Sequence, residues 1–305
     1  MRLPESWAQR LKLPVIAAPM FLVSGTSMVI EASRAGVIGS FPTANCRGID
    51  ELDRWMTEIT VALKEDHAPY AVNLIVHKSN SRLADDLKVI CRYRPELVIT
   101  SVGSPEPVLE AIHDYGGLVF ADVASMRHAE RAAASGADGL ILLAAGAGGQ
   151  TGWANPFAFT RGVRAFFDGP IVLAGGIGDA QAVKAAEILG CDLAYMGTRF
   201  IATRESMAKH RYKDMITQCR LDDIKLTRAM TGLETNMLIP SLLAAGLDPD
   251  DLPKRGSIVI DKDINPDQPR RWKDVWSAGH SCQQVGDVPP IADLVERLVS
   301  AYRAL

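Results

Sequence analysis

Short, continuously apolar runs alternate with longer stretches of helical periodicity along most of this chain. The runs are Pro14–Ala18, Val37–Phe41, Tyr70–Val76, Leu97–Val102, Gly117–Val123, Gly139–Ala144, Pro170–Ala174 and Leu193–Gly197. Several are apolar throughout rather than alternating, as strands buried on both faces of a parallel sheet should be. Between them lie predicted helices at Thr26–Arg34, Asp50–Glu65, Ser81–Arg92, Pro105–Tyr115, Met126–Ser135, Pro156–Phe167 and Asp179–Leu189. Ser104-Pro105 and Asn155-Pro156 place a capping residue before a proline at the first helical position. Ser135-Gly136 and Leu189-Gly190 read as glycine stops.

Eight strands, each followed by a helix or a helical start, predict an α/β fold of the (β/α)8 TIM barrel type. A doubly wound open sheet is the alternative; it more often has a Gly-rich turn after its first strand, and Pro14–Met20 has none. After Thr203 the rhythm changes. Residues 206–274 read as a small inserted helical domain with no clear buried strand, in which Gly232–Asn236 and Leu247–Asp250 are loops. Pro289–Ala304 is a final amphipathic helix, so residues 1–205 and 275–305 form the barrel. The insertion serves as a substrate lid, a homodimer contact or plain packing.

Charge and composition remove several function classes. The 305 residues carry a formal charge of -3, with no strongly basic or acidic tail, so neither nucleic acid nor a membrane surface is an expected partner. No apolar run approaches the ~20 residues needed to span a bilayer, and Met1–Lys12 lacks a signal-peptide apolar region. A cytoplasmic location is the default. The five cysteines, Cys46, Cys91, Cys191, Cys219 and Cys282, are scattered without a CxxC pair, so reduced, packed thiols are expected and no metal.

Candidate chemistry gathers at the strand ends, where a barrel of this type does its work. The last two strands end in Ala174-Gly175-Gly176-Ile177-Gly178 and Met196-Gly197-Thr198-Arg199. Glycines there let backbone N–H groups approach an anion, and Thr198 adds a hydroxyl, so consecutive strands suggest a phosphate site; tight turns alone are the plainer explanation. The run Leu140–Ala145 ends in Gly146-Ala147-Gly148-Gly149 and then a single amide, Gln150. Ala17-Ala18-Pro19-Met20 offers backbone and a polarizable side chain to a flat ring. Asn73 lies inside an apolar strand, where an amide needs hydrogen bonds from a ligand or a structural network. Asp122 and Ser125, after strand five, are weaker candidates, and Asp122 serves equally well as a helix cap. Trp153 and Phe157 suit the wall of an apolar pocket or packing on the next helix.

Taken together, Ala18-Pro19-Met20, the Asn73–Asn80 segment, Gly146–Gly149, Leu173–Gly176, Met196–Phe200 and Trp276–Gly279 resemble the nitronate monooxygenase family, formerly called 2-nitropropane dioxygenases. The resemblance runs over nearly the whole chain. It implies tightly bound FMN, with the ring against Ala18, Pro19, Met20 and Asn73 and the phosphate on Gly175, Gly176, Gly197 and Thr198; Asp122, Gly148 and Gly149 complete the expected cofactor contacts. It also implies a small-molecule substrate and dioxygen as partners. A histidine follows the Gly-Gly phrase in that family; here the position is Gln150.

Glutamine takes no proton near neutral pH, so a nitronate enzyme built this way is expected to prefer the deprotonated substrate and to orient it with the amide. The products implied are a carbonyl compound and nitrite. Use of a neutral nitroalkane needs a general base, typically worth 10²–10⁴-fold. His77 and Lys78 follow strand three and are the other candidate catalytic groups, with a solvated loop as the alternative. His280 is either an exchange that compensates Gln150 or a solvated histidine; His67, His113 and His128 read as surface residues. An FMN-dependent NAD(P)H reductase of enones, enoyl thioesters or quinones on the same scaffold is the competing function, since it needs no base at position 150.

Overall fold

Eight parallel strands close into a barrel because their residues are too apolar to leave either face in water. The computed structural model describes residues 2–252 and 273–305. The barrel strands are β1 (Val15–Ala17), β2 (Gly39–Pro42), β3 (Tyr70–Ile75), β4 (Leu97–Ser101), β5 (Leu118–Val123), β6 (Gly139–Leu143), β8 (Ile171–Ala174) and β9 (Leu193–Met196). A separate strand of two residues, β7 (Gly149–Gln150), falls between β6 and β8. Each barrel strand pairs in parallel with its neighbour, in the order β1-β9-β8-β6-β5-β4-β3-β2. A bridge between Ile16 and Ile38 joins the two ends, with Ala17 N–H donating to Ile38 at 2.8 Å and Ile38 N–H to Val15 at 2.9 Å. All eight predicted strands are present, seven of them trimmed by one or two residues and β2 starting two residues later and ending one later, at Pro42.

Helix α1 (Glu5–Arg10) precedes the barrel; the outer ring is α2 (Thr26–Ala35), α3 (Ile49–Ala62), α4 (Leu83–Tyr93), α5 (Glu106–His113), α6 (Met126–Ala134), α7 (Pro156–Arg164) and α8 (Ala180–Leu189). The Asn155 side chain caps α7 by accepting from Phe157 and Ala158 N–H, as its sequence predicts. The last strand is followed by only a short helix, α9 (Thr198–Ile201). The eighth position in the ring is taken by the C-terminal α12 (Ile291–Arg303), which packs against α2 and α8. Side-chain alternation sends Ile16, Ile99, Phe120, Ile141, Val172 and Leu193 into the barrel, where with Trp7 they fill its lower half.

The segment between α9 and α12 contains α10 (His210–Gln218), α11 (Ile239–Ala244) and also strands β10 (Ile224–Thr227) and β11 (Thr235–Leu238). The second strand is buried at every residue, which corrects the expectation that the insertion has no buried strand and that Thr235-Asn236 is loop. Four residues without alternation give no local signal. The strand exists because it pairs antiparallel with β10 on one side and β7 on the other, with Thr235 opposite Gln150 and Asn236 opposite Gly149. The insertion shares its core with the barrel top: Tyr212, Ile216 and Leu238 pack with Val23, Ile201, Trp276 and Ala278. Part of the predicted insertion, residues 253–272, lies outside the described residues.

Candidate active site at the C-terminal ends of the strands

A cavity of about 500 Å³ opens at the C-terminal ends of the barrel strands, inside the ~300–1,000 Å³ range of small-molecule sites. It follows from the barrel's own alternation. Residues two positions beyond the inward-facing apolar layer also face inward, and there the side chains turn polar: Asn73 on β3, Ser101 on β4, Asp122 on β5 and Tyr195 on β9 line the floor.

The cavity gathers all the residues expected for a cofactor. Ala18, Pro19, Met20, Asn73, Asp122, Gly148, Gly149, Gly175, Gly176, Gly197 and Thr198 all line it, and so does Gln150. The turn after β1 is held by Ser24, which accepts from Met20 N–H at 2.9 Å, and by Asn45, which donates to the carbonyls of Met20 and Ser24. Asn73 is buried and donates to Ile99 O at 3.3 Å and Ser101 Oγ at 3.2 Å, so a structural network accounts for part of its amide.

The glycine loop after β6 is clamped from three sides. Asn236 Nδ2 donates to Ala147 O at 2.8 Å, and Thr151 N–H donates to Glu234 O at 3.0 Å, both from the insertion. From below, Gly148 meets the tail phrase so closely that a Cβ at 148 would sit 2.6 Å from Gly279 N. Gly279 N–H in turn donates to Thr198 Oγ1 at 2.8 Å. Gln150 is therefore delivered to the cavity by a backbone fixed through β11 rather than by a free loop.

Other expected residues stand elsewhere. His77 and Lys78 are not among the lining residues; the His77 ring bonds to Ser79 within its own turn, and Lys78 is exposed. Ser79, Asn80 and Ser81 reach the cavity instead, because the turn after β3 directs its later residues inward. His280 is exposed, lies over Gly146 and does not line the cavity. Trp153 and Phe157 are 76% and 61% exposed and do not line it. Ser125 caps α6 by accepting from His128 N–H. That leaves Asp122 free of the capping role and facing the cavity.

Asp122 and Tyr195 are electrostatically unusual. Asp122 Oδ1 and the Tyr195 hydroxyl are buried without a hydrogen-bond partner among the described residues. Burial raises the Asp122 carboxyl from its ordinary value to about 7. Burial, and then the Asp122 charge, push the Tyr195 hydroxyl well above its usual range. Tyr195 was invisible as a candidate in the sequence, since Leu193-Ala194-Tyr195-Met196 reads as an apolar strand. Its one signal is its position two residues after inward-facing Leu193.

Fold and site together define a barrel enzyme with a cofactor-sized cavity at its working face. The nitronate monooxygenase family model matches residues 81–301, and the chain belongs to that family of flavin-dependent oxidoreductases. Over 249 residues it is 25% identical to a Mycobacterium tuberculosis protein named (3aS,4S,5R,7aS)-5-hydroxy-7a-methyl-1-oxo-octahydro-1H-indene-4-carboxyl-CoA dehydrogenase, covering 80% of this chain and 68% of that one. It is 24% identical to the nitronate monooxygenase of Paraburkholderia phytofirmans, covering 77% and 76%. The structure of a nitroalkane oxidase from Streptomyces ansochromogenes superposes with a TM-score of 0.83 over 98% of this chain and 99% of that one, at 21% identity, and shares the fold.

The cavity suits a flavin nucleotide. Its β8–β9 end is walled by Gly175 and Gly176, both at positive φ (120° and 77°), by Gly197 and by Thr198. A Cβ at Gly176 would meet nothing within 4 Å, so the backbone is bare on that side. The acidic lining residues among those described, Asp86 and Asp122, belong to α4 and β5, so none of the described lining residues at this end is acidic. No helix among the described residues is long and apolar enough to cross a membrane, and no cluster of metal-ligating residues occurs among them.

Proposed function

We propose that this chain is an FMN-dependent nitronate monooxygenase, oxidising alkyl nitronates with dioxygen to a carbonyl compound and nitrite. The observation that carries the reading is the convergence on one cavity of the flavin contacts and of Gln150, in a chain of this family. In this reading Gly175, Gly176, Gly197 and Thr198 hold the phosphate, and Ala18, Pro19, Met20 and Asn73 face the ring. FMN, when bound, supplies the electron-accepting chemistry and the reaction with dioxygen. The protein binds, orients and excludes water. Gln150 offers two N–H donors to the oxygens of a nitronate and takes no proton from it. Its antiparallel pairing with Thr235 fixes the backbone from which that amide projects.

A second reading, an FMN-dependent NAD(P)H reductase of enones, enoyl thioesters or quinones, is favoured by Gln150 itself, since hydride transfer needs no base there. The dehydrogenase name of one relative supports it. Aerobic turnover decides between them. With propyl-2-nitronate, the nitronate reading expects oxygen uptake with nitrite release and no pyridine nucleotide. Oxidation of NAD(P)H coupled to an enone or quinone, with no nitrite from nitronate, overturns it.

A further inference from the structure

Two polar groups on the cavity floor have no partner in the protein. Asp122 Oδ1 on β5 and the Tyr195 hydroxyl on β9 are buried and unbonded among the described residues, and both side chains line the cavity. Leaving buried polar atoms unpaired is costly and calls for a ligand that pairs them. Their neighbour Asn73 spends its N–H groups on Ile99 O and Ser101 Oγ, at 3.3 and 3.2 Å. What Asn73 has left for a ligand is an acceptor, its side-chain oxygen.

We propose that bound flavin rests on Asp122 in its protonated form, with the carboxyl O–H and the Tyr195 hydroxyl donating to acceptors of the ring, so that flavin affinity is lost as Asp122 ionises. This inference rests on the FMN reading above and not on the nitronate reaction. The oxidised ring presents carbonyl oxygens and unprotonated ring nitrogens against a single N–H, so it needs donors more than acceptors. The Asn73 oxygen suits that N–H. An ionised carboxylate is an acceptor only and would set lone pairs against lone pairs, whereas the protonated carboxyl donates. Tyr195 stays protonated throughout, because burial, and then the Asp122 charge, push its hydroxyl well above the usual range.

No opposite charge stands by to hold Asp122 ionised. The strands beside β5 carry no titratable residue: β4 is Leu97–Ser101 and β6 is Gly139–Leu143. Around the cavity, Arg82 pairs with Asp86 at 2.8 Å, the Tyr212 hydroxyl donates to Ser277 O, and Tyr195 is the neighbour that feels the Asp122 charge. The charged groups of the helices packed outside β5, namely Glu106, Glu110 and His113 of α5 and Arg127, His128, Glu130 and Arg131 of α6, are exposed on the other side of the sheet. Desolvation alone sets the carboxyl of the flavin-free protein at about 7. Binding then keeps a proton that the free protein releases above that value. Affinity is fully present below about 7 and falls about ten-fold per pH unit above it.

Titration of the flavin-free protein with FMN, read by quenching of flavin fluorescence, tests this across about pH 6.5–8.5, above the second ionisation of a phosphate monoester. Each Kd is taken on protein shown folded by circular dichroism. Wild type is expected to lose about 30-fold in affinity by pH 8.5, at ten-fold per unit above about 7. Asp122→Asn keeps the shape and a donor but cannot ionise, so its Kd should vary by less than about three-fold over the range. Tyr195→Phe should weaken FMN by about two- to ten-fold at every pH and leave the wild-type slope in place. The inference is overturned if wild-type affinity is flat or rises with pH, or if Asp122→Asn keeps the wild-type slope. A protein that binds no FMN at any pH overturns the FMN reading and this inference with it; FMN bound with a flat profile overturns this inference alone.

Discussion

The side-chain amide of Asn236 donates to the carbonyl of Ala147 at 2.8 Å, linking the insertion to the glycine loop of the barrel across 89 residues of sequence. Both groups are buried, so the bond is protected from water. Removing the donor leaves a buried carbonyl without its partner, a change worth about 1–3 kcal/mol. Asn236→Ala should therefore lower thermal stability by that amount. It should also weaken flavin retention, since Gly148 and Gly149 hang from the same loop. Melting curves and flavin dissociation constants check both effects.

Close backbone approach explains why glycine stands at 148 and 279. A Cβ on Gly148 would lie 2.6 Å from Gly279 N, and one on Gly279 would lie 2.5 Å from Gly146 O. Backbone cannot swing aside as a side chain does. Gly148→Ala and Gly279→Ala are each expected to cost about 1–3 kcal/mol and to reduce flavin content on purification. Gly286→Ala is the control. A Cβ there meets nothing within 4 Å, and its effect should stay within about 0.5 kcal/mol.

Asp122 makes stability depend on pH in an unusual direction. Its folded carboxyl is raised from 3.8 to about 7, so the folded state holds its proton more tightly than the unfolded chain. The group therefore costs nothing below the unfolded value. Its penalty grows as pH rises from about 4 to about 7 and is complete above that. At roughly 1.4 kcal/mol per unit the full penalty is on the order of 4 kcal/mol. The flavin-free Asp122→Asn variant should thus be more stable than flavin-free wild type at pH 8 and much closer to it at pH 4. Denaturant melts at the two pH values measure the difference; an equal gap at both would contradict the assignment.

Gln150 lines the cavity, so a base placed at 150 should open the enzyme to neutral nitroalkanes. Gln150→His is expected to raise turnover of neutral nitroalkane at least ten-fold, read as kcat/KM at pH 7.5, about one unit above an ordinary histidine. Turnover of the nitronate should change little. No gain in a folded, flavin-loaded variant would mean that position 150 lies out of reach of the substrate carbon.

The barrel was legible because β3, β5, β6 and β8 are apolar on both faces and carry their signal in four to six consecutive residues. The glycine ends after β8 and β9 were legible for a similar reason, as local chemistry. What was not legible depended on distant pairing. Gly149-Gln150 is a strand only through its pairing with Thr235-Asn236, and no window of sequence contains both. His77 and Lys78 have the right neighbours in sequence but lie in a turn that directs Ser79 and Asn80 inward in their place. Asp122 could be noticed as an acid in an apolar run. That it faces the cavity while Ser125 caps the helix is settled by the strand register and the start of α6.

The nitronate reading is tested most directly by anaerobic reduction of the flavin-loaded protein. Mixed with propyl-2-nitronate in the absence of oxygen, the visible flavin absorption should bleach rapidly, and NADH or NADPH at equal concentration should leave it unchanged over the same time. Rapid bleaching by either pyridine nucleotide, with none by the nitronate, would contradict the account and make this chain a reductase.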